Sequence, residues 1–531
     1  MKRLAAPLAG ALVLSACTGG GGSGKGNGKP HQGGVFRMAM ERSRSLDPSQ
    51  SRTPEEILLA DQLFDSLVSY DPQTLAVRPA VAASWTASAD QQHWDFTLSP
   101  EAKFSSGRAI TSADVKYTLD RAARRGSGVA TDLLLEPVNG FAALNDPKGT
   151  ANDLAGVKTP SPNVVHVDLD QPLSTLPAVL GNVTFGIVPK EAVEAKPPAP
   201  DFNRQPVTSG PFRIRSRTDT VLHLVPAEGV RPYVSGVDVH LESDGPAAYA
   251  AFNRRAVDWS PVPPDRVDEA AEKHGRRGFK PYATVGFYGF NLKSAKFADP
   301  RFREAIVAAI DRDSIVRGIY NGTVHATTRL VPEGIPGSQD DPCGQKCVHD
   351  QSKAKALIKE AFGDKPPPDI QIDFDQDSTQ ESIAKAMQNN LKDVGINAAL
   401  RPHPFADYLT FALTGQQELF RLGWTTPVAA PTADGFLTPL FLTGSHENVT
   451  QFSLPQVDQL LKTGRAEPDE AKRISADQQA ERLILDQVPV VPIFEIEFHS
   501  VVADRVQGLT LSVLGTFDAT KLWLTSGPGV K

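Results

Sequence analysis

The sequence predicts an α/β protein of more than one domain, and three observations carry that expectation. Its 531 residues exceed one ordinary core, because domains run to roughly 100–200 residues each. Apolar residues make up 40% and charged residues 22%, a globular composition that excludes collagen-like, coiled-coil and wholly disordered chains. Most specifically, residues 370–400 read as strand, amphipathic helix and strand, a unit whose two strands lie parallel and whose ligands sit beyond the strand C-termini.

Taken in order, Val35–Met40 is apolar and partly alternating, a first strand. Thr53 and Pro54 open a helix that carries Ile57, Leu58, Leu63 and Leu67 on one face as far as Leu67. Trp94–Leu98 alternates strictly and predicts a half-buried strand, and Thr111–Asp114 opens a helix with Val115, Leu119 and Ala122 inward. The run Lys196-Pro197-Pro198-Ala199-Pro200 cannot continue a helix and marks a crossing. Asp299 and Pro300 are N-cap and first residue of a helix with Phe302, Ile306, Ala309 and Ile310 in one stripe. Ile370–Phe374 is a strand. Ser378 caps a helix with Ile383, Met387, Leu391 and Val394 on one face, Gly395 closes it, and Ile396–Leu400 returns as a strand. These stripes read as core.

The N-terminus predicts export. Lys2 and Arg3 precede the short apolar stretch Ala5–Ala16, which suits a secretory signal and is shorter than the ~20 residues a spanning helix needs. Leu14-Ser15-Ala16-Cys17 resembles the bacterial lipobox, whose cysteine is lipidated; acyl chains anchor at ~0.8 kcal/mol per buried methylene. Residues 18–31 then read as a flexible Gly-rich tether. Gly19, Gly24 and Lys25 imitate a phosphate-binding loop, but Gly26 stands where Ser or Thr is required. In an exported chain the remaining pair, Cys343 and Cys347, reads as a disulfide closing a small loop.

Several functions find no support. A net charge of −7 without a dense Lys/Arg block argues against nucleic acid as a partner. The 11 histidines are scattered singly, so neither a metal site nor a cofactor is expected. No GxSxG elbow is present, and Asp311, Asp313, Glu333 and Asp434 suit caps, ion pairs and turns better than acid–base work.

Ordered blocks from Gly33 to Trp523 carry a resemblance. They are Gly33–Arg37 with Leu46–Pro48, Leu63–Val68 with Arg78–Trp85, and Phe96–Leu98 with Lys103–Gly107 and Thr111–Val115. Pro206–Phe212, Gly289–Leu292 with Asp299–Arg312, and Leu330–Gly337 follow. In this order and spacing the chain resembles the family 5 extracellular solute-binding proteins, the oligopeptide, dipeptide and nickel receptors of ABC importers. The resemblance implies a type II periplasmic-binding-protein fold, two lobes joined by a hinge with an additional inserted domain. Its divisions would be a signal peptide at 1–17, a tether at 18–31, lobe I at 32–66, 206–283 and 495–531, the inserted domain at 67–205, and lobe II at 284–494. It implies a monomeric receptor for peptides or peptide-like solutes that closes on ligand, serves permease and ATPase subunits, and sits at the membrane through Cys17.

For the site, the resemblance implies that Trp424 lines the cleft, that Arg421 meets a ligand carboxylate, and that Phe405 stacks on the ligand. On residue type alone Arg421 also suits a lobe bridge and Phe405 a core position. Relatives often place an Asp after the Gly-Trp pair to hold the ligand ammonium; here Pro427 stands in its place. Either Asp434 substitutes, or the ligand has no free amine at that end. An extracytoplasmic hydrolase and a non-transport sensory receptor on the same fold stay open as alternatives.

Overall fold

Two thirteen-residue strands, Gly278–Phe290 and Val490–Val502, pair antiparallel in the middle of an 11-stranded sheet. The structure, a computed structural model, describes residues 29–126, 132–197 and 199–525. On one side of the central pair lie Leu419–Thr425, Ile370–Asp375 and Ala398–His403; on the other lie Trp259–Pro261, Val35–Glu41, Gly236–Glu242, Val221–Pro226 and Phe212–Arg217. Val324–Ala326 pairs with the second long strand off this path. A separate four-stranded antiparallel sheet is built from Ala82–Ala87, His93–Leu98, Val164–Asp168 and Val157–Ser161. It carries its own apolar core, from Leu67 to Ile187 with Ala430 added from far along the chain.

Local signals act as the sequence predicts at most of these elements. Thr53 and Glu56 form a capping box at the helix Pro54–Leu63, and Thr111 with Asp114 does so at Ser112–Ala122. Trp94, Phe96 and Leu98 are buried while the residues between them are exposed. Ile370–Asp375 and Ala398–His403 run parallel with the helix Ser378–Asp393 between them.

Three boundaries differ. The first helix ends at Leu63, not Leu67, because the returning segment takes the Leu63 carbonyl: Ser209 and Gly210 both donate their backbone N–H to it. A Cβ on Gly210 would lie 2.6 Å from the Leu63 backbone. Ser378 is the first residue of its helix, whose cap is Asp377, accepting from Thr379 and Gln380 N–H. The last strand of that unit begins at Ala398 and runs on to His403, since Ile396 N–H is held by the Leu391 carbonyl in the turn. The signal stretch, the lipobox and nearly all of the tether lie outside the described residues, but His31 is placed, edge-on to Trp523.

One carboxylate gathers three distant passes of the chain. Asp258, 2% exposed at its side chain, accepts from Arg37 through Nε and Nη2 and from Arg505 through Nε and Nη2, at 2.6–3.2 Å. The Arg37 backbone N–H adds a further bond. Burial would push this carboxyl up, but the hydrogen bonds from Arg505 and Arg37 outweigh it and hold it below the ordinary carboxylate range. Its contribution to stability is therefore complete above the unfolded carboxyl pKa and is lost as pH falls through the depressed folded value. Asp258→Asn leaves two guanidinium groups with reduced pairing; allowing for their partial exposure, it is expected to cost about 2 kcal/mol. Thermal unfolding checks this: the transition that includes this lobe should fall by about 4–8 °C.

Candidate functional site

A cleft opens where the central strands leave their neighbours. Val324–Ala326 pairs with Phe494–Ile496, and Trp259–Pro261 pairs with Ser500–Val502, leaving Glu497, Phe498 and His499 between the two partner strands. All three line a cleft of about 830 Å³, within the range of small-molecule sites. One wall is Ser51–Arg52 and Pro54–Glu55 with Pro261–Val262; the other is Ile319–Asn321 with Thr425–Val428. Tyr282 and Thr284 lie at its floor, beside the irregularity at which the pairing of the two long strands shifts register.

The lining is largely apolar with a few hydroxyls and charges. Tyr282 donates to the Thr426 carbonyl at 3.3 Å, and burial pushes its phenol up to about 12. Thr284 and Thr425 share a hydrogen bond between their hydroxyls. Thr426 Oγ1 is buried with no protein partner; such a group costs free energy until something bonds to it. The Thr426–Pro427 peptide is cis. Burial raises the Glu55 carboxyl above its ordinary value.

Glu497 is the most heavily engaged charge here. It meets His499 Nε2 at 2.7 Å, His325 Nε2 at 3.6 Å and Arg276 Nη2 at 3.3 Å. Burial would raise its carboxyl, but the hydrogen bonds from His325 and His499 bring it down to about 2. The same bond to Glu497 raises the His325 imidazole.

The residues singled out by sequence separate into different places. Thr425, Thr426 and Pro427 line this cleft. Trp424 does not: it faces a second cavity of about 630 Å³ together with Asp434, and its indole donates to the Gly435 carbonyl at 2.9 Å. That cavity lies against Leu133, Glu136, Phe141 and Asp170 of the four-stranded unit, and Val428 lines both spaces. Asp434 is buried, accepts from Thr438 and lies 3.9 Å from Arg465 Nε. Arg421 lines neither cavity; it stands 3.4 Å from Asp375. Phe405, 62% exposed, lines neither as well. The expectation that Trp424 and Arg421 share one cleft fails for a simple reason. Both lie on the strand Leu419–Thr425, and residues three apart on a strand point to opposite faces. Cys343 and Cys347 are bonded, with Cα atoms 5.6 Å apart, away from either cavity.

Sequence reasoning missed Ser51–Glu55, Tyr282, Thr284 and Ile496–His499. The cleft is assembled by the long strands, whose residues carry no local signal. Pro427 was the one usable pointer.

Comparison with known proteins places this geometry. Residues 76–448, more than half of the chain, match the model described as bacterial extracellular solute-binding proteins, family 5 Middle. The dipeptide-binding protein of Escherichia coli is 24% identical over 479 residues, 85% of this chain and 87% of the relative. The unliganded open form of the Escherichia coli murein tripeptide-binding protein MppA superposes with a TM-score of 0.80 at 21% identity, over 93% of this chain and 98% of that one. Helicobacter pylori DppA, in complex with the peptide STSA, gives 0.69 at 19% identity, over 93% and 99%.

The ion cluster at the cleft makes a pH prediction. A raised imidazole lends stability that is complete below the ordinary histidine pKa and disappears as pH rises through the raised value. Glu497 acts in the opposite sense: its contribution is present above the ordinary carboxyl range and lost as pH falls toward about 2. In Glu497→Gln the His325 midpoint, followed by NMR, should drop toward the ordinary imidazole value. An unchanged midpoint would show that Glu497 is not its partner.

Proposed function

Because this chain belongs to the bacterial extracellular solute-binding proteins of family 5, we propose that it is the substrate-capturing receptor of an ABC importer, taking peptides or peptide-like solutes. The observation that carries the reading is the cleft of about 830 Å³ between two lobes of a type II periplasmic-binding-protein fold. The lobes are joined through the paired strands Gly278–Phe290 and Val490–Val502. Capture works by hinge closure: ligand that contacts both walls favours the closed state by its differential affinity, and the closed state is what a permease reads.

The cleft's chemistry supports a peptide-like ligand. Thr425–Val428 borders the space at and just past the end of its strand, and apolar Val262, Ile319, Ile496 and Phe498 line it as well, a surface suited to the side chains of a peptide-like ligand. Arg52 and Glu55 bring both signs of charge to one wall. The names of the relatives, a dipeptide-binding protein and a murein tripeptide-binding protein, point the same way. We propose binding and no turnover, in line with a family of binding proteins.

The proposed division of the chain is the one its blocks imply: lobe I at 32–66, 206–283 and 495–531, an inserted domain at 67–205, and lobe II at 284–494. Cys17 anchors the protein at the outer face of the membrane, as a monomer. This rests on Leu14–Cys17, and it fits described residues without a helix long and apolar enough to span a membrane.

Two measurements test the reading. The chain beginning at Gln32, purified and examined by native mass spectrometry, should carry or take up peptides that fragment by residue increments. Val428→Trp, which intrudes on the cleft, should weaken that uptake by about tenfold or more with little change in thermal midpoint. A protein that ignores peptides, or a variant that binds as well as the parent, overturns the assignment. Separately, Cys17→Ala should move the protein from the membrane fraction to the soluble one. A variant that stays with the membrane overturns the anchor.

A further inference from the structure

The outward face of the four-stranded sheet holds a cluster the interlobe cleft does not use. His93 pairs across from Asp168, and Asp95 pairs across from His166, on the adjacent strands His93–Leu98 and Val164–Asp168. Alternation along both strands sends all four side chains to the same face. His93 Nδ1 lies 2.6 Å and His166 Nε2 2.8 Å from the same oxygen, Asp168 Oδ1. The three ligand-type atoms fall within 4.8 Å of one another. Lys158, on the next strand, takes the other oxygen, Oδ2, at 2.6 Å and leaves Oδ1 to the imidazoles.

We propose that His93, His166 and Asp168 form a binding site for a divalent transition-metal cation of the zinc class. Two imidazole nitrogens and one carboxylate oxygen are a donor set for such ions, which sit 2.0–2.2 Å from each ligand and accept a fourth from water or another molecule. A second, independent feature supports it. Asp95 Oδ1 lies 2.8 Å from His166 Nδ1, the outer nitrogen, so this carboxylate fixes the ring with Nε2 aimed at Asp168. A carboxylate behind a histidine in this way orients metal-binding imidazoles and raises their basicity. The rings of His93 and His166 are held nearly parallel, 18° apart with centroids 6.3 Å from each other. Small rotations of the exposed His93 ring and the partly buried His166 ring admit the ion between them and Oδ1. The site is invisible to a search for closely spaced histidines because strand pairing, not sequence spacing, assembles it.

The test uses the untagged chain from Gln32 and Zn2+ alone, titrated calorimetrically, with Mg2+ and Ca2+ as controls. One equivalent of Zn2+ should bind, and the controls should not compete, since hard cations prefer all-oxygen sites. His93→Gln and His166→Gln should each weaken binding, and Asp95→Asn should weaken it by about 10–100-fold, while Lys158→Gln retains it. These side chains face solvent, and circular dichroism checks that each variant folds. NMR signals of both rings should shift or broaden on Zn2+ addition. The proposal is overturned if the His93→Gln/His166→Gln double variant binds Zn2+ as the parent does. It is also overturned if binding disappears instead in His499→Gln, or if the two rings are unmoved by the metal, which would leave the cluster an ion-pair network only.

Discussion

The antiparallel pairing of Gly278–Phe290 with Val490–Val502 is the contact on which the rest of the molecule depends. Each strand begins in one half of the large sheet and ends in the other, so every neighbouring strand takes its place from this pair. The ladder is not uniform: its register shifts between Tyr282 and Val285 and again between Gly286 and Phe287. Such irregularities bend a strand and re-aim its side chains. Here they fall at the level of the cleft, where Thr284 turns to meet Thr425. Gly286 is required by close approach, because a Cβ there would sit 2.5 Å from the Phe494 ring of the partner strand.

Electrostatics at the same level tie the halves together loosely. Glu497 sits on the second long strand and receives His325 from one side and Arg276 from the other. Both partners are well exposed, 59% and 58% at the side chain, and exposed pairs of this kind contribute about 0–1 kcal/mol. The Asp258 cluster is different in degree. Buried and bonded to two guanidinium groups, it fixes Val35–Glu41, Trp259–Pro261 and the segment after Val502 as one rigid unit. A firm lobe and a weakly bridged junction are the combination that lets a cleft change its opening without loss of either core.

Much of this was legible in the sequence wherever a local rule governs. Capping residues placed the starts of Pro54–Leu63, Ser112–Ala122 and Pro300–Ala309, and alternation revealed His93–Leu98. The two central strands were not legible. Gly278–Phe290 contains Pro281, Gly286 and Gly289, and Val490–Val502 contains Pro492, all residues that ordinarily argue against an interior strand. Both are buried on both faces over most of their length, so neither alternates. Where they fail to show, the cleft they frame fails to show as well. Its other walls, Ser51–Glu55 and Thr425–Val428, come from segments far apart in the chain.

The segment from Arg421 to Val428 shows how a site residue can be near in sequence and wrong in direction. Strand parity puts Arg421 and Thr425 on one face and Trp424 on the other; Trp424 then packs toward Asp434 and the second cavity. Pro427, where the family resemblance leads one to look for an Asp, borders the cleft with no charge of its own. Asp434 does not replace it, since it is buried behind this wall with Thr438 and Arg465. Glu497 is already neutralised by its basic partners. Arg52, Glu55 and Asp265 also line the cleft, but Asp265 is paired with Arg266 at 3.3 Å and burial raises the Glu55 carboxyl. The strand end Thr425–Val428 is itself spent on internal hydrogen bonds, from Tyr282 to the Thr426 carbonyl and from Asn182 to the Pro427 carbonyl, so it gives the cleft shape rather than charge.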